Sequence, residues 1–240
     1  MVVLQFANSP SKISSTGKSD DNCINVDLEG LLQKHNGTFG YRSYRGQLAA
    51  MINKANKNSE NGPILQRGAE VGVFKGQLSQ KMLQLVPDIT QYTLVDSWRQ
   101  LPGWNMPFND NDNQKFEDIF QEAMKVTRDT YGQKVKVIRE TSSVARDYVP
   151  DNSLDFVYID GDHTAKGAVL DIMIWLAKVR CGGLILGDDY VDDKDPWGLG
   201  AENKYDPIMV KSPVDAIAEA LRVHVYDLGS RNWAFVKPKT

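Results

Sequence analysis

Glu70-Val71-Gly72-Val73-Phe74-Lys75-Gly76 is the first run whose residue types could do chemistry. Its glycines would let a ligand approach the backbone, and a helix starting there would offer free N–H groups. The spacing departs from GxGxxG, which argues against a dinucleotide pyrophosphate; a plain tight turn is the other use of such glycines. Asp96 follows one strand later, where a carboxylate can accept both hydroxyls of a ribose or simply cap a helix or loop. Tyr158-Ile159-Asp160-Gly161-Asp162-His163 and Gly187-Asp188-Asp189-Tyr190 close two further strand-like runs. Carboxylates ending adjacent strands converge beyond the sheet, so Asp160, Asp188 and Asp189 would form an all-oxygen cluster suited to magnesium. Asp162 and Asp188 could instead cap turns. His163 titrates near neutrality and qualifies as a proton acceptor; an ordinary polar loop residue is the alternative.

These residues need a scaffold of alternating strands and helices, and the chain supplies one. Gly68 to Gly72, Thr90 to Val95, Lys134 to Ile138, Leu154 to Asp160 and Gly183 to Gly187 read as successive strands. Helices are expected from Gln77, with Leu78, Met82 and Leu85 on one face, and over Thr164 to Val179. The alternation is that of a doubly wound α/β fold with a mostly parallel sheet. Leu221 to Tyr226 and Trp233 to Val236, joined around Gly229 and Ser230, read as a terminal antiparallel hairpin. Trp98 to Asn113 and Tyr190 to Pro213 are rich in Asp, Asn, Pro and Trp and read as long loops.

Upstream, a helix over Tyr44 to Lys57 carries Leu48, Met51 and Ile52 at helical spacing, and the polar stretch before it reads as a mobile lead-in. The division expected is 1–25 lead-in, 26–62 helical cap, 63–240 main domain. With 41% hydrophobic residues, 25% charged residues and a net charge of -3, the chain fits a soluble globular protein without the basic field that gathers nucleic acid. Cys23 and Cys181 lie far apart and outside any zinc pattern, so both are expected as free thiols. Met1 to Ala7 is too short an apolar run to span a bilayer, and a cytoplasmic address without membrane association follows by default. The N-terminal helix could cap the site or pair two subunits as a homodimer.

The run from Gly68 to Ser79 resembles the cofactor motif of class I S-adenosylmethionine-dependent methyltransferases. IDGDH followed by GGLILGDDY is similar to the macrocin-type (macrolide-sugar) O-methyltransferases, and the resemblance spans roughly residues 64–236. It implies a Rossmann-like seven-stranded sheet with a C-terminal antiparallel hairpin. It further implies that Glu70, Gly72 and Gly76 line the methionine and ribose side of S-adenosylmethionine and that Asp96 holds the ribose. Ser97 and Trp98 would lie near the adenine, with Thr141, Ser142 and Ser143 closing over its edge. Asp160 would contribute to both cofactor and catalysis. Asp160, Asp188 and Asp189 fall where relatives such as catechol O-methyltransferases hold magnesium, and His163 falls at the general base, where the catechol enzymes use lysine.

The activity so implied is magnesium-assisted O-methylation of a small diol-bearing substrate, sugar or catechol-like. A metal-independent N- or O-methyltransferase and a non-catalytic cofactor-binding scaffold stay open. Trp104, Phe108 and Trp197 could stack on the substrate ring or merely pin their loops; Asp192, Asp193 and Asp195 could bind its polar groups.

Overall fold

The structure is a computed structural model that describes residues 23–110 and 112–239. Two helices come first, α1 (Leu28–Lys34) and α2 (Tyr44–Asn58), capped by the side chains of Asp27 and Ser43. There follow β1 (Arg67–Val71), α3 (Gln77–Leu85), β2 (Gln91–Val95), α4 (Asn113–Val126), α5 (Arg128–Tyr131) and β3 (Val135–Ile138). Next come α6 (Ser142–Ala145), β4 (Leu154–Ile159), α7 (Ala165–Lys178) and β5 (Val179–Gly187). The chain ends with the two-residue strands β6 (Asp192–Asp193) and β7 (Ile208–Met209), then α8 (Lys211–Leu221), β8 (Tyr226–Gly229) and β9 (Asn232–Val236).

The main sheet has seven strands in the order β3-β2-β1-β4-β5-β9-β8 among the described residues. Five of them run parallel, and β9 adds antiparallel to β5 through Leu184↔Val236 to Gly187↔Trp233. Every residue of β4 is buried, as a central strand covered on both faces requires. Its side chains alternate: Phe156 and Tyr158 enter the core that holds α2 and α3, Val157 and Ile159 the core beneath α7 and α8. Winding reverses between β1 and β4, which opens a crevice at their carboxyl ends. Gly72 makes the close approach there: with φ +84, an added Cβ would lie 1.7 Å from the Asp160 carbonyl oxygen.

Several expectations need correction. Cys23 and Cys181 are not free thiols; they form a disulfide. The Ile24 N–H donates to the Cys181 carbonyl at 3.1 Å, and Gly182, at φ +72, gives Ile24 room that no side chain would leave. Of the expected lead-in, residues 1–22 lie outside the described residues, and the remainder packs, with Ile24 buried. The hairpin starts at Tyr226 rather than Leu221, because Leu221 ends α8, which packs on α7 and buries Val214 and Ala218. That helix also takes residues from the expected second loop, Pro213 being tolerated in its first turn. The two N-terminal helices pack on the main domain, where Leu48, Met51 and Ile52 share one core with Leu78, Met82 and Phe156. Among the described residues no helix is long and apolar enough to cross a membrane.

Candidate active site

A cavity of about 870 Å³ lies over the carboxyl ends of β1, β2, β4 and β5. Glu70, Gly72, Asp96, Ser97, Trp98 and the 141–143 segment line it, together with Asp160, His163, Asp188 and Asp189. Residues distant in sequence are therefore brought together by parallel register, Val71 beside Val95 and Ile159, and Ile159 beside Gly187. Gly76 is the exception among the expected site residues: it is absent from the cavity wall and instead begins α3 in a left-handed conformation, facing Ala123, Val126 and Thr127.

Glu70 is buried and takes the Ser79 hydroxyl and, at 3.4 Å, the Tyr92 hydroxyl. Burial, helped by the charge of Asp160, pushes its carboxyl up to about 8 against the pull of those hydrogen bonds. Asp96 accepts the Val73 and Phe74 N–H groups at 2.9 and 2.8 Å and the Trp98 N–H at 2.8 Å, so it ties the glycine turn to β2. Burial outweighs those bonds and raises its pKa, again with Asp160 contributing. Trp98 is locked rather than free, its indole donating to the Phe74 carbonyl at 2.8 Å and packing on Phe120. Ser142 is likewise engaged, accepting the Trp175 indole N–H at 2.8 Å.

The aspartates expected to gather magnesium are arranged otherwise. His163 stands between two of them, Nε2 at 3.2 Å from Asp160 and Nδ1 at 2.7 Å from Asp189, and Asp189 also meets Arg231 at 3.5 Å. Among the described residues no group of three or more His, Cys, Asp or Glu side chains is set to hold a metal ion. The three-aspartate magnesium site is thus a poor fit to this geometry, because the His163 imidazole stands between Asp160 and Asp189 and engages one oxygen of each. Burial alone would lower the His163 pKa, but its hydrogen bonds to both carboxylates hold it up to about 10. Asp188 makes no ion pair among the described residues; burial and then the charge of Asp160 raise it to about 7, against the pull of the Asp189 N–H and the His163 charge.

Sequence reasoning missed Tyr44 and Arg45, which α2 carries into the cavity wall, and Arg231 from the β8–β9 turn. No local signal marks them; only the packing of α2 on α3 and the closing hairpin places them here. The two long loops do form a wall. Trp104, Phe108 and Trp197 line the cavity, with Phe108 edge-on to Trp197 at 5.9 Å. The loops are stitched together, Asp206 N–H to Asn105 carbonyl at 2.9 Å and Tyr205 hydroxyl to Asp110 at 2.6 Å. Asp192, Asp193 and Asp195 do not line the cavity; their oxygens hold the Asp195, Leu199 and Gly200 N–H groups of their own loop and the Ser212 N–H at the start of α8.

A cradle of this kind suits a cationic nucleoside. Glu70, Asp96, Asp160 and Asp188 bring their carboxyls to one cavity wall, an acidic lining that suits a sulfonium and an ammonium. A model of the methyltransferase domain matches residues 69–190, from β1 to the end of the acidic run after β5. No curated protein matches the chain. Among solved structures, a protein from Corynebacterium glutamicum is similar with a TM-score of 0.55 at 13% identity, covering 94% of each chain. A putative caffeoyl-CoA O-methyltransferase from Staphylococcus aureus gives 0.53 at 14% identity, over 88% of this chain and 93% of that one. Cofactor-bound Rv0187 from MTB gives 0.52 at 13% identity, over 94% of each chain. At such identities the likeness carries the fold, and the domain model carries the family. With the match spanning half its length, the chain belongs to the methyltransferase-domain family and is an S-adenosylmethionine-dependent methyltransferase.

Proposed function

We propose that this enzyme methylates a hydroxyl oxygen of a small ring-bearing acceptor without the help of a metal. The gathering of the Glu70, Asp96, Asp160 and Asp188 carboxyls on one cavity wall at the strand ends is the observation that supports the cofactor's place. S-adenosylmethionine supplies an electrophilic methyl on a sulfonium sulfur. Gly72 keeps the backbone low at the crevice, and Glu70 and Asp160 would face the amino-acid end. Asp96 has spent three of roughly four lone-pair sites on backbone N–H groups, which leaves one for a ribose hydroxyl. Ser97, Thr141 and Ser143 would border the adenine.

Oxygen as the acceptor atom is supported by the names of two neighbours of this fold, the S. aureus protein and an O-methyltransferase family protein from Burkholderia thailandensis. Proton removal falls to Asp188. Both His163 nitrogens face carboxylates, so the charged ring has no lone pair to offer, whereas the Asp188 carboxyl borders the cavity and makes no ion pair among the described residues. A base poised near the working pH is the efficient choice. His163 then acts as a positioning residue that ties Asp160 to Asp189. Trp104, Phe108 and Trp197 supply apolar walls for a ring, and without a metal chelate the acceptor needs one hydroxyl rather than two.

The test is release of S-adenosylhomocysteine from wild type and Asp188→Asn against phenol, catechol and methyl-hexopyranoside acceptors. Expected is a loss of ~10²–10⁴-fold in kcat with unchanged cofactor affinity. An Asp188→Asn enzyme as fast as wild type, or turnover confined to amines, overturns the reading.

A further inference from the structure

The cavity wall holds five side chains able to carry positive charge: Arg45, Lys75, Arg99, His163 and Arg231. Four of them have a carboxylate partner. Lys75 lies 3.0 Å from Glu122 and Arg99 3.0 Å from Glu140, while His163 and Arg231 share Asp189. Arg45 has none among the described residues. Its guanidinium sits 4.5 Å from the centre of the Tyr44 ring, on the first turn of α2.

A guanidinium laid on an aromatic face keeps its N–H fork free in its own plane, ready for a bidentate oxyanion. Tyr44 fixes where that fork stands. Its hydroxyl is held up to about 12, first by burial and then by the charge of Asp188, with Asp160 and Glu70 adding to it, so the pair overlooks the strand ends where chemistry is proposed. The nearby carboxylates also limit the anion. A doubly charged phosphate would meet Asp160 and Asp188 in a poorly screened cavity, whereas a single carboxylate is tolerated once Arg45 offsets it.

We propose that Arg45 is the anchor for a ligand carboxylate in this cavity, either the α-carboxylate of the cofactor's methionine end or a carboxylate on the acceptor. The inference rests on the proposed cofactor site and adds to it a residue from outside the matched domain.

Calorimetry on wild type, Arg45→Gln and Arg45→Lys, with three probes, tests it. If the cofactor supplies the carboxylate, Arg45→Gln weakens S-adenosylmethionine on the order of 10- to 100-fold and leaves methylthioadenosine, which lacks the amino-acid end, unchanged. If the acceptor supplies it, both nucleosides bind as before and benzoate no longer binds the S-adenosylhomocysteine-loaded variant. Arg45→Lys, which keeps charge but loses the fork, should fall between. Unchanged binding of all three probes overturns the proposal. Failure of wild type to bind S-adenosylmethionine would instead sink the proposed function, and benzoate on the free protein would still test Arg45. Thermal midpoints within a degree or two of wild type show that the variants fold.

Discussion

His163 bridges Asp160 and Asp189, with its two ring nitrogens 3.2 and 2.7 Å from their carboxylates. The bridge joins the end of β4 to the end of β5 and gives the crevice a fixed floor. His163→Ala leaves two half-buried carboxylates facing each other and should cost about 3 kcal/mol. Because the imidazole pKa is raised to about 10, the stabilisation is fully present below the unfolded value of 6.5 and fades as pH rises through 10. Urea unfolding of wild type and variant at pH 6 and pH 10 checks this; a pH-independent difference would contradict it.

Chelation offers a separate check. With His163 holding the aspartates, 5 mM EDTA should leave both cofactor affinity and turnover within about twofold of values in magnesium. A tenfold loss restored by magnesium would mean that the bridge opens to admit a cation.

Glu70 gives a pH dependence of opposite origin. Its folded pKa of about 8 lies above the unfolded 4.5, so the folded state keeps a proton that the unfolded state loses. Stability should therefore fall as pH rises from 4.5 to 8, by at most about 1.4 kcal/mol per pH unit. Glu70→Gln removes this slope while keeping a partner for Ser79, and thermal midpoints across pH 5 to 9 would reveal the difference.

Gly72→Ala should be severe. The new Cβ would collide with the Asp160 carbonyl at a backbone angle that alanine avoids, and a loss of ~3 kcal/mol or more is expected in denaturant titrations. Gly76→Ala has a milder steric conflict, 3.3 Å to its nearest neighbours, although its φ of +73 still carries strain.

Reduction of Cys23–Cys181 should lower stability by about 2–4 kcal/mol, since the bond closes a loop of 158 positions. Thiol titration in denaturant should find no free thiol before reduction, and thermal scans with and without reductant give the size of the effect.

The strands from β1 to β5 and the acids that end them were legible because a central strand is mostly apolar and polar residues then collect at its end, as Asp160 does after the fully buried β4, whose one acid, Asp155, is paired with Arg67 and Arg180. α1, with two buried leucines in seven residues, is too short to show a period, and its stability comes from packing on α2. α8 was hidden by Pro213 within its first turn. The disulfide is a meeting of positions 158 apart that spacing alone could not reveal. Within the site, Asp160 and Asp188 were readable as strand ends, but the turn of His163 between Asp160 and Asp189 depends on side-chain geometry. Arg45 was unreadable for a related reason: it stands on a helix outside the strand pattern, and only the folded chain brings that helix to the crevice.

Because Asn105 and Asp110 are bonded to Asp206 and Tyr205 across the opening, the outer wall is one stitched panel, separate from the floor made by the strand ends. Exchanging residues on that panel would retune which molecules are admitted while the nucleoside pocket beneath stays intact, so selectivity and methyl-donor use can diverge independently in descendants of this enzyme.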